Sequence, residues 1–143
     1  MIAVDTNLLV YAHRKDSEWH EPALAALIEL AESGQPWGIP WPCVHEFLSI
    51  VTHPRIYEPP STMDVASRAI EAWRLSPSLV FLHEGMDHWS CLSQLLRKGK
   101  IKGPMVHDAR IATICLSHGV KRLWTADRDF SRFGGLKTFN PLL

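Results

Sequence analysis

A chain of 143 residues, 46% hydrophobic and 21% charged, has the composition of a globular protein large enough to bury a real core, and reads as one domain over residues 1–143. Lys plus Arg number 15 and Asp plus Glu number 15, so no overall positive charge marks a nucleic-acid binder, and such a function needs a local basic patch. The three cysteines, Cys43, Cys91 and Cys115, are odd in number and widely spaced; with no signal peptide and no membrane-length apolar run, they predict reduced thiols and a cytoplasmic setting.

The first predicted strand, Ile2–Val4, ends abruptly in Asp5, and Asn7 to Ala12 follows as a helical turn or loop. His20-Glu21-Pro22 opens a helix, proline being tolerated in a first turn, and Ser33-Gly34 closes it. Its apolar stripe is Ala23, Leu24, Leu27, Ile28, Leu30 and Ala31. A short strand at Trp37–Ile39 leads to a helix that begins at Trp41-Pro42 and stops before Pro54, with Glu46 beside its apolar positions. After a loop from Arg55 to Ser61, Met63, Val65, Ala66, Ala69, Ile70 and Trp73 mark another helix. Leu79–Leu82 reads as a buried strand and Asp87–Arg97 as a helix. Lys98 to Pro104 is a basic, glycine-punctuated loop. The helix Val106–Leu116 carries Asp108 in its first turn, the strand Arg122–Thr125 runs into Asp127 and Asp129, and Lys137–Phe139 is a last strand. The alternation predicts an α/β fold with a central, mostly parallel sheet.

Four acids sit where a solvated surface charge is the less natural reading. Asp5 follows a buried-looking strand, at the strand end where open α/β sheets bind ligands, although an N-cap role is an equal alternative. Asp108 suits a helix N-terminus, yet shares a face with Ile111, Ala112 and Cys115. Glu46 borders an apolar stripe. Asp127 and Asp129 follow a strand, where either also serves a turn. Converging carboxylates repel one another, and a divalent cation such as Mg²⁺ or Mn²⁺ resolves that repulsion and suits phosphodiester hydrolysis. Rival chemistries lack their motifs. There is no glycine-rich dinucleotide loop, P-loop or nucleophile elbow, and the eight histidines lack zinc-ligand spacing.

Val4-Asp5-Thr6-Asn7-Leu8-Leu9-Val10-Tyr11, a mid-chain helical Glu46, His107-Asp108-Ala109-Arg110-Ile111-Ala112 and Thr125-Ala126-Asp127-Arg128-Asp129-Phe130 together resemble the PIN domain. More narrowly, they resemble the VapC toxin ribonucleases of bacterial toxin–antitoxin modules, over essentially the whole chain. The resemblance implies a three-layer α/β/α fold and a Mg²⁺- or Mn²⁺-dependent endoribonuclease. By position, Asp5 and Asp108 are its main metal ligands, Glu46 completes the pocket, and Asp127 is the fourth acid, with Asp129 an alternative. Thr6 and Thr125 carry hydroxyls suited to holding these carboxylates. The implied partners are an RNA substrate, a VapB-like antitoxin covering an apolar groove near Leu9, Trp19, Phe47 and Ile50, and a second copy in a homodimer, with no membrane. Lys98, Lys100 and Lys102, with Arg14, Lys15, Arg110, Arg128 and Arg132, are the candidate RNA surface, and Trp19, Trp37 and Trp41 the candidate stacking residues. The alternative is a non-catalytic PIN-like RNA-binding or interaction domain. Loss of acids would be its signature, and all four positions are filled.

Overall fold

The strand that ends in Asp5 forms the middle of the sheet. The computed structural model describes residues 1–143 and contains five strands: β1 (Ile2–Val4), β2 (Trp37–Pro40), β3 (Leu79–Leu82), β4 (Arg122–Trp124) and β5 (Lys137–Phe139). They lie in the order β3-β2-β1-β4-β5 and every neighbouring pair is parallel. Six α-helices connect them: α1 (Thr6–His13), α2 (His20–Glu32), α3 (Trp41–Val51), α4 (Met63–Arg74), α5 (His88–Gly99) and α6 (Met105–Ser117). A 3-10 helix, Arg128–Arg132, joins β4 to β5.

From β1 the chain steps to β2 and β3 on one side, then returns past β2 and β1 to β4 on the other. Right-handed crossovers in opposite directions send α1–α4 to one face of the sheet and α5–α6 to the other. The packing agrees, since α1 meets α2 and α3, α3 meets α4, and α5 meets α6. The result is the predicted three-layer α/β/α arrangement. The strand order reverses between β1 and β4, and a parallel sheet opens a crevice at the carboxyl ends of strands at such a reversal. The core lies against β1, β2 and β4, where Val4, Ile39, Phe47, Ile111 and Leu123 are buried.

Three local expectations are revised. Thr6–His13 is a full helix, begun by Asp5 acting as its N-cap. It buries Leu8, Leu9, Val10 and Ala12 in one run, so no polar face was present to give its sequence a helical period. Leu79–Leu82 is an edge strand, with Leu82 buried and Val80 exposed, because nothing pairs with its outer side. Lys98 and Gly99 belong to the last turn of α5, and Lys100 ends it in a left-handed conformation (φ 51°) more usual for glycine.

Gly38 in β2 leaves room for Leu82 of the neighbouring strand. A Cβ there would lie 2.8 Å from Leu82 Cδ1 and 2.9 Å from its Cγ, and Leu82 is itself fully buried. Gly38→Ala should therefore lose about 1–3 kcal/mol of stability through overpacking. Urea unfolding checks this; a midpoint equal to that of the parent would show that Leu82 moves aside freely.

Candidate active site

The site is built outward from Asp5. Its amide continues the β1–β4 ladder by donating to the carbonyl of Trp124 at 3.0 Å, so the backbone is pinned where the two strands end. The carboxylate is buried. Oδ1 accepts from the amide of Thr6 at 2.8 Å and from the Cys43 thiol at 3.6 Å. Oδ2 accepts from the hydroxyl of Thr125 at 2.7 Å and from the side-chain amide of Asn7 at 3.3 Å. Thr125 Oγ1 also accepts the amide of Asp127 at 2.9 Å, so one hydroxyl fixes both acids. Asn7 Oδ1 accepts the amide of Ala126 at 3.2 Å and closes the stitch between the segment after β1 and the segment after β4.

Glu46 arrives from α3 and accepts the Thr6 hydroxyl at 2.9 Å on Oε2. Asp108 arrives from the first turn of α6, on the other side of the sheet. Asp5, Glu46, Asp108 and Asp127 line one cavity of about 290 Å³, together with Thr6, Asn7 and an apolar and aromatic side. Asp129 does not line it. Its carboxylate nevertheless lies in a cluster with Asp108 and Asp127 whose ligand oxygens are all within 4.8 Å of one another. Asp127 Oδ1 caps the 3-10 helix by accepting the amide of Asp129 at 2.8 Å.

Burial pushes the Asp5 carboxyl up to about 6, against hydrogen bonds from Thr125 and Thr6 that favour its charge. Asp108 also rises to about 6, through burial first and then the negative charges of Asp127, Glu46 and Asp129. Burial and the nearby Asp5 raise the Cys43 thiol well above its ordinary range, so it stays protonated and donates. The chain's ion pairs are Arg14–Asp16, Arg74–Glu71 and Arg110–Glu84, and none includes these five acids. No histidine lines the cavity. A set of oxygen donors with unbalanced negative charge fits a hard divalent cation.

The profile of the PIN domain family matches residues 2–136. The chain belongs to the PIN domain family. Within it, the chain is 34% identical to ribonuclease VapC43 of Mycobacterium tuberculosis, covering 99% of this chain and 96% of that protein. It is 30% identical to ribonuclease VapC48 of the same organism, covering 96% and 94%. Among solved structures, VapBC2 from Rickettsia felis bound to a DNA fragment from their promoter superposes with a TM-score of 0.69 at 21% identity, covering 98% of each chain.

In this PIN domain the N-cap reading of Asp5 does not compete with a site role, because one carboxylate both caps α1 and lines the cavity. Several other expectations change. Arg14 is largely buried and engaged by Asp16, Pro59 and Ser61, while Arg110 pairs at the surface with Glu84. Trp37 is fully buried, with its indole donating to Ser76 Oγ at 3.0 Å, and presents no stacking face. Leu9 and Phe47 are core residues and do not line a surface groove. An apolar groove of about 970 Å³ lies between α2 and α4, with Leu24, Ile28, Ala69, Trp73 and Leu75 on its walls. Asn7, Cys43, Tyr11 and Tyr57 were passed over as site residues. Asn7 alone carried a signal, a polar side chain inside an otherwise apolar run that had to find buried partners.

Because the folded state holds the Asp5 proton more tightly than the unfolded chain does, its contribution to stability is fully present below about pH 4 and is lost as the pH rises through about 6. The gap between 3.8 and about 6 is worth about 3 kcal/mol. In EDTA, the unfolding free energy of the parent should fall by about that amount relative to Asp5→Asn between pH 4 and pH 7. Parallel curves in urea titrations across that range would contradict it.

Proposed function

We propose that this chain is a metal-dependent endoribonuclease of the VapC type that hydrolyses RNA phosphodiester bonds, inhibits translation and growth, and is neutralised by a VapB-like antitoxin. The observation that carries the reading is the cavity lined by Asp5, Glu46, Asp108 and Asp127 with no cationic side chain among them. Similarity to VapC ribonucleases over nearly the whole chain supports the substrate class.

Asp5 and Asp108 would be the main ligands for Mg²⁺ or Mn²⁺, with Glu46 and Asp127 completing the set and Asp129 at its exposed rim. A bound divalent ion would supply charge to orient the scissile phosphate and offset the negative charge that develops on it. The rest falls to the chain itself. Thr125 fixes the rotamer of Asp5 and the backbone at Asp127, and Thr6 orients Glu46. All four hydrogen bonds to Asp5 come from neutral donors, and the one from Asn7, at 3.3 Å, is the long member of its Oδ2 pair. No internal cation therefore competes with a ligand for the Asp5 carboxylate. With no histidine in the cavity, no imidazole pair is present to activate the ribose 2′-hydroxyl. In the proposed hydrolysis, which needs no imidazole, water attacks phosphorus in line, the P–O3′ bond breaks and a second water protonates the departing 3′ oxygen, so that the products carry 5′-phosphate and 3′-hydroxyl ends.

The groove between α2 and α4 is the right kind of surface for the apolar face of an antitoxin helix. It lies on the face of the sheet that carries α1–α4, and the end of α1 (Ala12, His13) lines the groove while its start (Thr6, Asn7) lines the cavity.

Asp5→Asn and Asp108→Asn should each reduce cleavage of RNA to the level of the parent in excess EDTA while circular dichroism stays unchanged. Thr125→Val should cost roughly 10- to 100-fold through the misplaced carboxylate. Sequencing of the cut ends checks the chemistry, and cleavage that persists in EDTA or leaves 2′,3′-cyclic phosphate would overturn it.

A further inference from the structure

The cavity has a second wall that the acids do not use. Tyr11 of α1 and Tyr57 of the loop between α3 and α4 line it, alongside Val10, Ile50 and Phe130. The loop of Tyr57 is tied down at several points. Its amide donates to the carbonyl of His53 at 3.1 Å, and Ser61 donates to the carbonyl of Val51 at 2.8 Å.

Arg14, immediately after α1, is the brace. Its guanidinium carbon lies 4.2 Å from the centroid of the Tyr57 ring. The same group donates to the carbonyl of Pro59 at 3.0 Å and to Ser61 Oγ at 3.2 Å, and pairs with Asp16 at 2.6 Å. Ser61 Oγ also shares a hydrogen bond of 2.9 Å with His13. The Arg14 side chain is only 11% exposed. It is therefore occupied inside the protein, and its cation–π contact holds an aromatic ring at the edge of an acidic cavity. Fixing a loop tyrosine beforehand removes an ordering cost that binding would otherwise carry.

An RNA strand with one phosphate at the acids must put a neighbouring ribose and base against the cavity's other side. An apolar and aromatic wall next to carboxylates repels a second phosphate and accepts a base. Aromatic stacking is the general means by which proteins hold unpaired bases, and a base stacked inside a duplex has both faces covered by its neighbours. We propose that Tyr57, braced by Arg14 and joined by Tyr11 in the same wall, is the stacking platform for the base beside the scissile phosphate. Tyr57 is thereby a substrate-binding residue that favours an unstacked base, and Arg14 a positioning residue. This rests on the nuclease reading above.

The test uses an oligonucleotide spanning a site that the parent protein cuts in total bacterial RNA, with Mg²⁺ or Mn²⁺ present. Absence of cutting by the parent would overturn the nuclease reading and this inference with it. Given cutting, Tyr57→Leu should raise KM by roughly tenfold with little change in kcat, and Tyr57→Phe should restore the parent value. Tyr57→Leu keeps an apolar side chain in the loop, and an unchanged circular dichroism spectrum confirms that it folds. Arg14→Met should raise KM in the same direction. An abasic nucleotide at one position flanking the cut should cost the parent the same tenfold and cost Tyr57→Leu nothing more. A Tyr57→Leu variant with the parent KM, or abasic and Tyr57→Leu losses that multiply, would overturn the platform while leaving the nuclease reading intact.

Discussion

The hydrogen bond from Thr125 to Asp5, 2.7 Å long and buried, is the constraint on which the rest of the site depends. It joins the ends of β1 and β4, the two strands between which the sheet order reverses. Burying a carboxylate costs several kcal/mol unless partners replace its water. Asp5 has four such partners, and burial still lifts its carboxyl to about 6. The fold accepts that penalty at one point, and it does so where Glu46, Asp108 and Asp127 add further negative charge. A purely structural N-cap on the surface would satisfy α1 without any of this.

The topology explains why acids so far apart in the chain meet. All five strands run the same way, so residues that follow β1, β2 and β4 emerge at one edge of the sheet. Asp5 and Asp127 come from the two central strand ends. Glu46 descends from the helix layer on one face and Asp108 from the layer on the other. The cavity is thus bounded by both layers and by the sheet, and small shifts of α3 or α6 against the strands would alter its charge spacing. Thr6 and Asn7 in the first turn of α1 tie these parts together, since one holds Glu46 and the other holds Asp5, Thr125 and Ala126.

Much of this was legible in the sequence because it rests on local patterns. An apolar run broken by an acid marks β1 and Asp5, and a carboxylate on the inner face of an apolar helix marks Asp108 and Glu46. What was not legible depends on tertiary placement. Leu79–Leu82 is as apolar as a central strand, and only the sheet order makes it an edge. Leu9 and Phe47 look like groove residues until α1 and α3 pack together over the sheet and enclose them. Arg14 resembles a free basic residue, yet its partners Tyr57, Pro59 and Ser61 lie more than forty residues away. Asp127 and Asp129 sit two residues apart, and the 3-10 helix that Asp127 caps and that carries Asp129 in its first turn leaves one in the cavity and the other at the rim.

The central claim is that Asp5, Glu46, Asp108 and Asp127 form one divalent-cation site at the β1–β4 crevice. A crystal grown with Mn²⁺ and measured for anomalous scattering tests it most directly. The account predicts a peak inside the cavity about 2.1 Å from carboxylate oxygens of Asp5 and Asp108. A peak bound only by Asp127 and Asp129 on the outer rim, or no peak at a Mn²⁺ concentration that supports cleavage, would contradict it.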